Sequence, residues 1–361
     1  MVSPVGPALD APTVGACPAC GTALERLEDY ALDIAGQEVI FHADRCPSCA
    51  NEYVNAPEIL RPDSELLSEY RPNASPLGSR RRIVNLSSRD RDLRNRAGPK
   101  VAGTLLAYLL HEDLADVVFL AHQAVSEEPV VAFSRKDLRS ASEIRMGPGR
   151  AVFTGSGLRA NLLTLTQLKR FAEQDGGLHP RIAMMGRPCQ IYTARKLLWD
   201  RFAPGYELAF ALGTFCYGNF APAAWGGQHL RQLLGFDPAE IRRVEFTGEE
   251  LAFTAGSGAQ RRLPQEEVAG LVNANCLQCY DFTVSFSDIS VGQIGPDPLF
   301  ETAIIRTELG DGIVDQAVRD GFLATSAQIY GRADVAHDET QAAGFLEAMV
   351  EIKKQLTRKL R

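Results

Sequence analysis

The 361-residue chain reads as an α/β protein, a strand-and-helix core with a cysteine-paired module before it and a helix after it. Three observations predict this. Short apolar runs of strand length alternate with helical stretches through the middle of the chain. Six of the eight cysteines fall in three C-x-x-C pairs, two of which lie near the N-terminus at the spacing of a metal-binding ribbon. The last stretch carries apolar residues three and four apart, the period of an amphipathic helix.

Composition bounds the function. Hydrophobic residues make up 45% and charged residues 23%, a globular balance, and the net charge of −7 argues against general nucleic-acid binding. No run of apolar residues reaches membrane-spanning length. The first residues lack a basic region leading into an apolar core, so a cytoplasmic chain is expected. In that setting, cysteines at a recurring spacing read as metal or redox ligands rather than disulfides.

Residues 1–56 are expected to form a zinc-ribbon-like module. Cys17-Pro18-Ala19-Cys20-Gly21 and Cys46-Pro47-Ser48-Cys49 are two knuckle turns. Between them Tyr30, Leu32 and Ile34, then Gly36, then Val39, Ile40 and Phe41 read as a β-hairpin. Four thiolates from two such turns make a tetrahedral sulfur site. Structural zinc suits a segment with so thin a core, and iron in a rubredoxin-like site is the alternative.

Residues 57–98 read as a basic linker, punctuated by Pro57, Pro62, Pro72 and Pro76 and carrying Arg80, Arg81, Arg82, Arg89, Arg91, Arg94 and Arg96. It is either a solvated connector or an anion-facing arm, and the residues alone do not choose.

Residues 99–330 are the expected α/β domain. Residues 101–110 read as a buried helix approached through Gly98 and Pro99, followed by strands at 116–121, 129–133, 181–186 and 208–213 and helices at 162–174 and 190–202. The single cysteines Cys189 and Cys216 sit just past two of these strands, where open α/β sheets place their ligands. Cys276-Leu277-Gln278-Cys279-Tyr280-Asp281 supplies a third C-x-x-C, which is half a metal site. The expectation is that Cys189, Cys216, Cys276 and Cys279 meet around one iron–sulfur cluster. A small-residue loop, Thr154-Gly155-Ser156-Gly157-Leu158-Arg159, has the composition to approach a phosphate, although no Walker or Rossmann fingerprint is present. A hairpin is expected from 243–246 and 251–254, and 331–361 forms a helical extension with Phe345, Met349, Ile352, Leu356 and Leu360 on its apolar face.

Several of these segments together resemble the beta subunit family of coenzyme F420-reducing hydrogenases and dehydrogenases. They are the stretch 100–120, Gly186-x-Pro188-Cys189-Gln190-Ile191, Phe215-Cys216-Tyr217, Cys276-x-x-Cys279-x-Asp281 leading into Asp288-Ile289-Ser290-Val291-Gly292, and Ile304-Ile305-Arg306-Thr307. The resemblance implies a mixed-sheet α/β core that binds FAD beside a [4Fe-4S] cluster. It implies hydride transfer between coenzyme F420 and FAD, and single electrons passed between FAD and the cluster. Lys100, Gly103 and Thr104, with Thr154, Gly155, Ser156 and Arg159, are then the candidates for FAD. Gly186, Arg187 and Gly292 are candidates to approach sulfur or flavin edges through their backbone, and Arg306 to pair an anionic group. The implied partners are other redox subunits or ferredoxin, and coenzyme F420 or a similar hydride carrier. The chain departs from many family members in carrying the paired ribbon where they have a ferredoxin-like cysteine run. Two other readings stay open: a stand-alone, ferredoxin-fed flavin reductase of an organic double bond, and a zinc-ribbon adaptor with an inactive body.

Overall fold

The computed structural model describes residues 30–34, 37–41, 75–90, 100–121, 130–134, 181–193, 195, 207–218, 228–246, 250–269, 279, 281–294, 297, 299–331 and 335–359. The N-terminal cysteines, Cys276 and the small-residue loop 154–159 lie outside these, as does the expected helix at 162–174.

In chain order the elements are β1 (Tyr30–Ile34), β2 (Gln37–Phe41), β3 (Arg82–Ser88), α1 (Lys100–His111), β4 (Val117–Ala121), β5 (Val130–Ser134), β6 (Arg181–Gly186), α2 (Pro188–Thr193), β7 (Glu207–Thr214), α3 (Gln228–Leu234), β8 (Ile241–Phe246), β9 (Glu250–Ala255), β10 (Gln260–Pro264), α4 (Gln265–Ala269), β11 (Ile289–Gly292), β12 (Glu301–Ile305), α5 (Glu308–Arg319), β13 (Leu323–Thr325), α6 (Ser326–Tyr330) and α7 (Val335–Lys359). β1 and β2 form the antiparallel hairpin expected of the N-terminal region, Tyr30 opposite Phe41. β8, β9 and β10 make a small antiparallel sheet, one strand more than the expected hairpin.

The main sheet has eight strands in the order β13-β3-β12-β11-β7-β6-β4-β5. Its centre, β11-β7-β6-β4, is parallel, whereas β12 runs antiparallel to β11 and β3, and β13 and β5 close the two edges antiparallel. It is a mixed sheet, as the resemblance implies. Both faces are covered, which is why β6 and β12 read as near-continuous apolar runs rather than alternating ones. One face carries α1 and α5, with Val101, Leu105, Leu109, Ile313 and Val314 packed against Leu86, Ala303 and Ile305. The other carries α7, with Ala342, Leu346 and Val350 against Ile83 and Ile304. The alternation Ala303-Ile304-Ile305 thus feeds two different cores from one strand.

Two expectations are corrected here. The stretch 57–98 is not a linker throughout: β3 lies inside it and pairs on both sides within the main sheet. Its short run of core residues is hidden among arginines whose charges have partners on α5, Arg81 with Asp311 and Arg82 with Asp311 and Asp315. The second correction concerns α7. Its buried stripe is Ala342, Leu346, Val350 and Lys353, while Phe345 is 42% exposed. The helix is where its period predicts, but the apolar stripe is turned by about one residue toward smaller side chains.

The segment from 281 to 288 has no regular secondary structure, so its backbone groups need other partners. Arg306, fully buried at the end of β12, supplies one of these, at Thr283, and ties the segment to the approach to β3. Its Nη1 donates to the carbonyls of Leu77 (2.9 Å) and Ser79 (2.7 Å), its Nη2 to the carbonyl (2.9 Å) and hydroxyl (3.0 Å) of Thr283, and its Nε to the hydroxyl of Ser290 (3.2 Å). Burial pushes its pKa down to about 10, which leaves it charged at neutral pH. Arg306→Met removes five buried hydrogen bonds and is expected to destabilise the fold by about 3–5 kcal/mol in urea unfolding. Arg306→Lys, with three donors in place of a planar five, is expected to recover less than half of that.

Candidate functional site

The carboxyl ends of the parallel strands lie side by side. Gly186 of β6 pairs with Gly213 of β7, and Thr214 of β7 with Val291 of β11, so Arg187, Phe215 and Gly292 emerge along one edge. Ligands of open α/β sheets bind at such an edge. The glycines there are set by close approach. A Cβ on Gly292 would fall 2.2 Å from the Phe215 ring, and one on Gly213 would fall 2.5 Å from Val284. Phe215 is further held by its amide, which donates to the Val291 carbonyl (3.1 Å). This pins the residue immediately before Cys216.

Cys216 and Cys279 are both free thiols and both 6% exposed. The Cys216 amide donates to the Phe282 carbonyl (2.9 Å), which joins the segment after β7 to the segment after Cys279. Each sulfur meets a buried cation. Arg187 Nη1 lies 3.4 Å from Cys216 Sγ and donates to the Gly218 carbonyl at 2.9 Å. Lys353 Nζ lies 3.7 Å from Cys279 Sγ and donates to the carbonyls of Cys216 (2.8 Å) and Asp281 (2.7 Å). Burial pushes the Cys279 thiol up; Lys353 opposes that, and Asp281 and Cys216 add to it. Of the other two expected ligands, Cys189 lies on α2, two residues past Arg187, with its side chain outside the described residues, and Cys276 lies outside them altogether. Among the described residues no group of three or more His, Cys, Asp or Glu is arranged to hold a metal ion. The two described thiols, buried and each faced by a cation, fit an anionic, thiolate-ligated centre.

The polar run after Cys279 holds this arrangement. The Asp281 carboxylate accepts from the Ser285 amide (2.8 Å) and hydroxyl (3.3 Å) and closes a turn. Within that turn Val284 has a φ of 57°, a left-handed conformation that is strained for a β-branched residue. Its carbonyl is fixed by the hydroxyls of Ser287 (2.8 Å) and Ser290 (3.3 Å). Asp288 anchors the far end of the run. It accepts from Arg195 Nη2 (2.7 Å), the Ala211 amide (2.7 Å) and the Thr307 hydroxyl (2.9 Å). Arg195 also donates to the Phe286 carbonyl.

The remaining candidates fall as follows. Lys100 opens α1, with its side chain outside the described residues. Gly103 is buried within the helix, and Thr104 donates its hydroxyl to Ser88 (2.8 Å). In the first turn of α1, the Val101 amide donates to Glu301 Oε2 at 2.7 Å. Arg306, expected to pair an anion, gives all five donors to the protein. Sequence reasoning missed Arg195, Lys353 and the strained Val284. Only Lys353 left a signal, a lysine in register with the stripe Ala342, Leu346, Val350.

Comparisons with known proteins bear on the same residues. Residues 179–329 match the family described as the carboxyl-terminal part of the beta subunit of coenzyme F420 hydrogenase/dehydrogenase. The beta subunit of the coenzyme F420 hydrogenase of Methanothermobacter thermautotrophicus is 27% identical over 257 residues, covering 69% of this chain and 85% of the relative. The beta subunit of the coenzyme F420 hydrogenase of Methanosarcina barkeri is 25% identical over 260 residues, 69% of this chain and 82% of the relative. Among solved structures, a protein of the F420-reducing [NiFe] hydrogenase complex from Methanosarcina barkeri superposes with a TM-score of 0.62 at 21% identity, over 79% of this chain and 92% of that one. Family profile, curated relatives and fold agree with the motifs: the chain resembles the beta subunits of the coenzyme F420 hydrogenase/dehydrogenase family.

Proposed function

We propose that the chain is an electron-transfer oxidoreductase subunit, passing a hydride between coenzyme F420 or a similar two-electron carrier and FAD, and single electrons between FAD and a [4Fe-4S] cluster. The observation that carries this reading is the pair of buried thiols Cys216 and Cys279, each faced by a buried cation and with their segments bridged by Lys353, beside the carboxyl edge of the parallel strands. A flavin bound here supplies the exchange between two-electron and one-electron chemistry, and the cluster supplies the one-electron path.

The chain's own residues then have definite tasks. Cys216 and Cys279, with Cys189 and Cys276, are the proposed ligands. Arg187 and Lys353 set a positive field at the sulfurs, which favours the more negative, reduced state of the bound centre. Phe215 and Tyr217 flank Cys216 and pack on Phe282, with ring centroids 5.4 and 4.7 Å away. They exclude water from the thiols and keep the local dielectric low. Gly186 and Gly292 let backbone approach the edge where a flavin ring is proposed to lie. The loop 154–159 remains a proposed FAD contact, as does the first turn of α1 beyond the amide taken by Glu301. The N-terminal ribbon is proposed to hold zinc through Cys17, Cys20, Cys46 and Cys49, and a partner redox subunit or ferredoxin to exchange electrons with the cluster.

Anaerobic purification with iron, flavin and zinc analysis tests the assignment. About four irons, one FAD and one zinc per chain are expected, with a brown-yellow visible spectrum. Cys216→Ala and Cys279→Ala are each expected to lose most of the iron and to keep the zinc. A colourless wild-type chain with zinc alone overturns the redox reading and leaves the adaptor.

Gly292→Ala supplies a separate check. Its methyl group displaces Phe215 and with it the segment bearing Cys216. Iron content is expected to fall at least twofold, while far-UV circular dichroism stays that of the wild type. Full iron occupancy in this variant would show that the Phe215 contact does not position the ligand.

A further inference from the structure

We propose that Lys353 is a positioning residue for the thiol site: from the buried face of α7, its ammonium ties the segment after β7 to the segment after Cys279 and fixes a positive charge against the Cys279 sulfur. The tie stands on the geometry alone. The role of the charge rests on the reading of Cys216 and Cys279 as cluster ligands.

Lys353 is 1% exposed. Three residues earlier, Val350 fills the same stripe with an apolar side chain, as do Leu346 and Ala342 before it. A leucine or methionine at 353 would continue that stripe without burying a charge. Burying an ammonium instead is costly unless its hydrogens are well used. Here they point in three directions: to the Cys216 carbonyl at 2.8 Å, the Asp281 carbonyl at 2.7 Å and Cys279 Sγ at 3.7 Å. Both carbonyls belong to segments outside any strand or helix, where the backbone has no ladder to satisfy it. One ammonium therefore joins three elements, namely α7, the residues following β7 and the residues following Cys279.

The direction of approach adds to this. Arg187 reaches Cys216 Sγ from the turn after β6, and Lys353 reaches Cys279 Sγ from α7. The two cations belong to different elements and serve different sulfurs, so loss of one leaves the other in place. Lys353 also holds backbone on both thiol-bearing segments, so its removal loosens the pair relative to each other as well as changing the field.

The test compares Lys353→Met with Val350→Ala, which removes packing from the same helix face and leaves the ammonium on the Cys216 and Asp281 carbonyls. Amide hydrogen–deuterium exchange of the metal-free chain, resolved by mass spectrometry on peptides spanning 215–218 and 281–285, reads the tie. Both stretches are expected to exchange roughly tenfold faster in Lys353→Met than in Val350→Ala, the effect of freeing a charge-assisted hydrogen bond, and Lys353→Arg is expected to return toward the wild-type rate. Equal rates in Lys353→Met and Val350→Ala overturn the tie. Should Lys353→Met not fold, Lys353→Gln carries the same comparison. In protein loaded with iron and sulfide, the midpoint potential read by EPR is expected to fall in Lys353→Met and to hold in Val350→Ala. An unchanged midpoint overturns the charge role. A wild-type chain that takes up no iron sinks the cluster reading, and the charge role with it, and the exchange comparison still decides the tie.

Discussion

The arrangement depends on one buried guanidinium. Arg306 collects carbonyls from the approach to β3 and from the turn after Cys279, and a hydroxyl from β11, the first of these far from the other two in sequence. Desolvating it costs free energy, as its lowered pKa records, and five directed hydrogen bonds offset that cost. Asp288 does the complementary task with amide, hydroxyl and guanidinium donors, and the two residues are themselves joined by the Arg306 amide and the Asp288 carbonyl at 2.9 Å. Without helix or strand to saturate it, the turn 281–288 keeps one shape because charged side chains from the sheet replace its missing ladder. That shape includes a valine at φ 57°, which the surrounding bonds over-determine.

Much of the sheet was legible because both its faces are covered. Continuous apolar runs at 181–186 and 208–213 declare buried strands almost to the residue, and the buried helix at 101–110 declares itself likewise. β3 was not legible, for an electrostatic reason. Its core contribution is a few residues, Ile83 and Leu86 among them, and the arginines beside it suggested solvent when they meet carboxylates of α5. The face of α7 was misjudged for a steric one. Large residues such as Phe345 drew the stripe, whereas the close approach of helix to sheet selects Ala342.

The site divides in the same way. Position along the chain could be read: Cys216 lies just past the end of β7, where the apolar run of that strand places it. Chemistry that depends on tertiary approach could not. Arg306 stands out in the sequence only as a candidate to pair an anionic group, and its carbonyl and hydroxyl partners carry no sequence signature. The first turn of α1 has the donors that suit a phosphate, yet Glu301, two hundred residues away, reaches Val101. Long-range partners of this kind decide whether a motif with anion-binding character meets a ligand or the protein itself.

The two cations at the thiols bear on why the chain keeps charge in its interior at all. A cation 3.4 or 3.7 Å from a neutral thiol gains little, since the sulfur is a weak acceptor. The same cation beside an anionic sulfur in a low-dielectric site gains several times more. Arg187 and Lys353 are 5% and 1% exposed, so both have lost most of their hydration. Such burial is least costly in the state where the sulfurs carry negative charge, which is the state of a metal-bound cysteine. On the proposed reading, the fold is tuned to the loaded site rather than to the bare thiols, and the ligand set and the helix that supplies Lys353 stabilise each other.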